Sequence, residues 1–240
     1  MSWASYDSAP TQPMQQQPLH TQQMKPMMQN KPENPAYTQP AVVEPKVQNP
    51  LPQTKSKWAD ISEYEEYYDW GYIFVGIIVT EFILLVVVRY FPDILGKHMN
   101  IWYNRFKLSA VVADVFIIAL GIGISRYVYT EFIYPKYDWN PLYFTGTTLF
   151  VQILHDILFY IGVIQQVPKG ANAMIDVMKE YAAAAGNRAI LGDSALMISS
   201  VVIAMIAKGM ETHAVIFLGI LAVYGIPYIL ETRNDYSSLS

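Results

Sequence analysis

The chain has no cysteine. Disulfides, thiolate metal sites and cysteine nucleophiles are therefore excluded. It also has no excess of basic charge: 16 Lys and Arg stand against 20 Asp and Glu. Nucleic-acid binding needs a basic stripe, so none is expected. No Asn-x-Ser/Thr acceptor occurs, and the first 25 residues lack the basic start and apolar core of a cleavable signal peptide. No Walker loop, GxSxG elbow, HExxH helix or TVGYG filter is present.

What is there is apolar sequence, unevenly spread. Residues 1–57 hold 10 of the 15 prolines and a run of glutamines, Gln15 to Gln17. Such a segment cannot bury enough apolar surface to offset its ordering entropy, and a disordered tail is expected. Asn34-Pro35-Ala36-Tyr37 within it has the NPxY form of adaptor-binding peptides, a form that chance also produces in Pro-rich sequence. Residues 58–71 are acidic and aromatic, which suits a juxtamembrane helix or collar.

From residue 72 to 230 the pattern is that of an all-α, polytopic membrane bundle. About 20 apolar residues at about 1.5 Å each cross a bilayer core, and five stretches qualify: 72–91, 108–125, 142–165, 189–207 and 214–230. Residues 92–107 read as a basic interfacial connector, and 126–141 as an aromatic belt. Residues 172–185 read as an amphipathic surface helix, capped by Asn172 and ended by Gly186. Pro227 is expected to kink or end the last span. Residues 231–240 form a polar tail, and no internal repeat stands out. More Lys and Arg flank one side of the spans than the other, eight against four. This bias places the N-terminus outside or in a lumen and the C-terminus in the cytoplasm.

Four of the five spans carry an acid: Glu81, Asp114, Asp156 and Asp193. A carboxylate is costly against lipid, so each should face the bundle interior. Counted from the cytoplasmic ends, all four lie about 7–14 Å deep at the rise of an α-helix. They can converge at one depth with His155. Thr145, Thr148, Gln152 and Asp156 recur at helical spacing and share a face. The candidate polar site is therefore Glu81, Asp114, Gln152, His155, Asp156 and Asp193. One reading makes these groups interhelical hydrogen-bond glue, with the acids neutral or paired with Arg89, Lys107 or Arg188. The other makes them a site for a divalent cation or a proton relay, since histidine titrates near neutrality. No cofactor is expected beyond that cation.

Gln152 to Tyr160 (QILHDILFY), Pro168-Lys169-Gly170 and Ile190 to Ser194 (ILGDS) resemble a group of multi-pass membrane proteins of nucleocytoplasmic large DNA viruses of algae and amoebae. The resemblance covers roughly residues 107–230. It carries no catalytic role. It implies a host endomembrane or a virion internal membrane, with the tail reaching capsid or core proteins. The expectation is a non-enzymatic structural component of such a membrane. The alternative is a small transporter or channel for protons or divalent cations. A membrane-embedded enzyme of lipid or phosphate chemistry comes third. The lipid bilayer is the one partner that composition itself implies.

Overall fold

The structure is a computed structural model that describes residues 58–91 and 97–232. The expected disordered tail, its NPxY sequence and the polar tail beyond residue 232 lie outside the described residues. Within them the chain is all α-helix, with no strand. The helices are α1 Asp69–Tyr90, α2 Lys97–Phe106, α3 Leu108–Val128, α4 Pro141–Phe159, α5 Ala173–Ala185, α6 Asn187–Lys208 and α7 Thr212–Glu231. α3 and α4 each end in a π-helical turn, Tyr129–Ile133 and Tyr160–Ile164.

Counted with those turns, five helices (α1, α3, α4, α6 and α7) are long and apolar enough to cross a membrane, which makes the chain an integral membrane protein. Their outer faces carry Phe116, Phe150, Leu158, Phe217 and Ile220, all exposed. In water such a surface would aggregate; in lipid it is the solvated face. Local signals set the ends. The Asn140 side chain accepts from the N–H groups of Leu142 and Tyr143, with Pro141 in the first turn of α4. Asn172 does the same for Met174 and Ile175 of α5. α7 runs past Pro227 to Glu231, so that proline does not end the span.

Three expectations need correction. Residues 58–68 are not a helix but an irregular strap of bends and turns that inserts Ile61 and Ser62 into the bundle. The connector before the second span contains α2, whose Trp102 and Tyr103 are buried rather than interfacial. The belt at 126–141 begins by extending α3, and its Tyr129 is buried against Phe144 and Trp139.

The chain also repeats itself. Span α1, surface helix α2 and span α3 are followed by span α4, surface helix α5 and span α6. Each surface helix turns into its span through one residue of nearly the same backbone: Lys107 at φ 49°, ψ −126° and Gly186 at φ 53°, ψ −130°. Exchanging the two triplets preserves the packing: α1 on α6 becomes α4 on α3, α1 on α3 becomes α4 on α6, and α2 stays on α5. Both triplets start at the same end of the bundle, so the relation is a rotation about the bundle axis. α7, packed on α1, stands outside it. The sequence echo is short: Ala110-Val111-Val112-Ala113-Asp114 against Ala189-Ile190-Leu191-Gly192-Asp193.

Candidate functional site

Asp114 follows the Lys107 corner by seven residues, and Asp193 follows the Gly186 corner by seven. The repeat thus delivers two equivalent acids to the same depth. They line one cavity of about 660 Å³ between α2, α3, α4, α5 and α6, together with Gln152, His155 and Asp156. Gln152 is held by its neighbour one turn on, donating from Nε2 to Asp156 Oδ1 at 2.7 Å. His155 Nδ1 lies 3.4 Å from the same oxygen, and its ring stacks on Phe159. Asp156 Oδ2 is buried and has no protein partner.

Glu81 does not line the cavity. It reaches Asp114 through Tyr103, a residue that sequence reasoning missed. The Tyr103 hydroxyl lies 2.8 Å from Glu81 Oε1 and 2.9 Å from Asp114 Oδ2. Trp102 Nε1 donates to the same Asp114 oxygen at 3.0 Å. Burial, then the Asp114 and Glu81 charges, push the Tyr103 phenol well above its ordinary value, so it stays protonated. A hydroxyl has one proton to give. Its second carboxyl contact is a hydrogen bond only when that carboxyl carries a proton of its own. Glu81, Tyr103 and Asp114 together therefore form one buried unit whose hydrogen bonds are complete when one carboxyl is protonated.

The second half of the repeat is arranged differently. Tyr181 occupies the position in α5 that Trp102 occupies in α2, five residues before the corner. No hydrogen bond joins it to Asp193 among the described residues. Burial, and then the Asp193 charge, raise its phenol to about 12. A raised value means that the folded state favours the protonated phenol. Its contribution is whole below pH about 10, the ordinary tyrosine value, and is lost as the pH rises through about 12. Tyr181→Phe is expected to flatten this alkaline loss, read as thermal unfolding in detergent across that window. Asp193→Asn is expected to bring the Tyr181 titration down, read by phenolate absorbance. An unchanged titration would separate the two groups.

Two of the expected basic partners, Arg89 and Lys107, are engaged elsewhere. Arg89 donates to Asn104 at 2.5 Å and to the Leu230 carbonyl at 3.0 Å. Lys107 donates to the same carbonyl and pairs with Glu231 at 3.3 Å. Both cations thus serve the last turn of α7, where carbonyls lack helical partners. Among the described residues, no Lys or Arg pairs with any of the four intramembrane acids. No three His, Asp or Glu side chains there lie close enough to hold a metal ion. What the cavity offers is hydrogen bonding, protonation and a diffuse negative field.

A second polar centre lies at the opposite end, at the strap. Arg126, fully buried, donates to the carbonyls of Glu63 and Glu66, the latter at 2.7 Å, and lies 3.6 Å from Asp69 Oδ2. Lys208 lies 2.5 Å from Asp69 Oδ1 and donates to the Asp60 carbonyl at 2.5 Å. The guanidinium also stacks on Trp70. Asp69, Arg126 and Lys208 come from α1, α3 and α6, so this clamp joins both halves of the repeat.

Comparison with protein-family models, with curated proteins and with solved structures finds no match to this chain.

Proposed function

We propose that this chain is a membrane carrier whose intramembrane acids take up protons in exchange for a cationic substrate. The observation that carries this reading is the convergence of Asp114, Asp156 and Asp193, from three spans, on one cavity with no basic counter-charge. Parallel repeats about an axis along the membrane normal, with a site at their interface near the bilayer middle, are a recurring construction of secondary transporters. Here the cavity lies between the two triplets.

A structural role, with acids as glue, accounts for Glu81, Tyr103 and Asp114. It leaves Asp156 Oδ2 buried without a partner and Asp193 lining the cavity with no hydrogen bond among the described residues, where carboxyls are costly without a task. A through-channel is less well supported: Ile118, Ile122 and Met197 are buried in one apolar cluster with Ile61 of the strap. The viral setting implied by the resemblance remains compatible with a carrier, in an endomembrane or a virion membrane. The charge bias makes the cavity end cytoplasmic, and two of the opposing cations, Arg126 and Lys208, are consumed by the clamp.

The test is proton flux in liposomes holding the purified chain, driven by a gradient of an organic ammonium cation. Wild type is expected to show flux, and Asp156→Asn to reduce it by about tenfold or more, the loss of one proton-carrying group in a relay. Absence of flux in both, with Asp156→Asn merely less stable, would return the acids to a structural role.

A further inference from the structure

The cavity is much larger than an inorganic cation requires. At about 660 Å³ it falls in the range of sites that enclose an organic molecule. Its walls are mainly apolar, with Met99 and Met178 at equivalent places in the two surface helices and Ile117, Phe159 and Leu196 between them. Thioether side chains adapt to irregular apolar shapes. Its polar groups are acids, two histidines, a glutamine and two tyrosines, and no Lys or Arg is present.

The lining also includes Ile157 of α4 and Tyr160 and Ile161 of the π-helical turn that follows it, all exposed. These residues lie in a candidate span, where the surroundings are hydrocarbon. The cavity therefore reaches the surface at membrane depth, through a side facing lipid. Asp156 lines the same cavity, and its Oδ2 is buried without a protein partner.

We infer that the site takes a cationic amphiphile, an amine or quaternary ammonium head on an alkyl chain, entering sideways from the bilayer with its head at Asp114, Asp156 and Asp193 and its chain along the methionine-lined wall. Each requirement has its counterpart on the protein. The charge answers three acids without a basic partner, the volume and apolar walls answer the chain, and the lateral opening answers a ligand dissolved in the membrane. A multidentate metal ion would require three close ligands, which the described residues do not provide. This assignment rests on the carrier reading above and names its substrate class.

The test uses the full chain in phosphatidylcholine nanodiscs and a trimethylammonium bearing a brominated dodecyl chain. Bromine quenches indole fluorescence on contact, and Trp102 is in the cavity wall. The expected result is saturable quenching above that of Trp102→Phe. Asp156→Asn and Asp193→Asn should each weaken it by about tenfold, the loss of one charge-assisted contact. Tetramethylammonium should compete poorly, and an alkyl maltoside with the same brominated chain should not saturate. Equal competition by tetramethylammonium, or equal saturation by the uncharged maltoside, would overturn the amphiphile assignment. Proton flux measured on the same purified chain in liposomes tells the two ideas apart. Flux without amphiphile binding would leave a carrier of another substrate, and binding without flux would leave an amphiphile site in a protein that is not a carrier.

Discussion

Arg126→Met is expected to be among the most damaging single substitutions in the bundle, lowering stability by about 3–5 kcal/mol, the range for breaking a buried charged network from one side. The guanidinium is fully buried, and its losses add up. The carbonyls of Glu63 and Glu66 lose their donor, Asp69 is left to Lys208 alone, and the Trp70 face loses its cation. Lys208→Met should cost less, because the Lys208 side chain is 28% exposed and water can replace part of its contact with Asp69. The informative readout is local. Hydrogen exchange of the strap amides, residues 59–68, should rise in Arg126→Met while that of the cavity-side helices α2 and α5 changes little. Unaltered strap protection in Arg126→Met would mean that Ile61 packing, not the clamp, holds the strap down.

Gly76→Ala follows in expected size. A Cβ at Gly76 would stand 2.6 Å from the Ser200 carbonyl oxygen and 2.8 Å from the Ala204 backbone nitrogen. Neither can rotate away, so α1 and α6 would have to separate along their whole contact. Overpacking of this kind costs about 1–3 kcal/mol, sometimes more. Two controls set the scale. Gly121→Ala is tight only against the end of the Met197 side chain, which can swing aside, with Gln152 Oε1 at an ordinary 3.5 Å, and should be milder. Gly146→Ala meets nothing within 4 Å and should gain up to about 1 kcal/mol of helix propensity. Thermal unfolding in one detergent should therefore rank Gly146→Ala above wild type, then Gly121→Ala, then Gly76→Ala. If Gly76→Ala matched Gly121→Ala, close approach of α1 and α6 would not be the reason for glycine at 76. The site is typical of membrane helices, where small residues replace hydrophobic drive with close contact.

The five spans were legible because each is a long apolar run, a signal that survives without knowledge of neighbours. Their bounds shifted most at two places: the π-turn prolongs α3 to Ile133, and Asp69 starts α1 three residues early, while the other ends moved by two residues at most. The acids could be placed at one depth by counting residues, because helical rise is constant. Which acids meet depended on helix order, and that is why Glu81 proved to be one bond removed from the cavity. α2 was read as a connector because its basic residues dominated. Its apolar face, Met99, Trp102, Tyr103 and Phe106, was present at helical spacing and would have revealed it. The strap has no periodic signature, because its order comes from Arg126 and Lys208, distant in sequence. The repeat was hidden because the two halves share a short echo, while their likeness lies in backbone geometry.

The clamp has a mechanical consequence. It fixes three of the five spans, from both halves of the repeat, at a single carboxylate. At the cavity end α1 and α3 are joined through Tyr103, and no such hydrogen bond reaches α6 among the described residues. The two halves are thus tied by charge at the strap, while at the depth of Asp193 α6 is held by packing alone among these ties. Loosening the strap is therefore expected to be felt at the cavity, far from the residue changed.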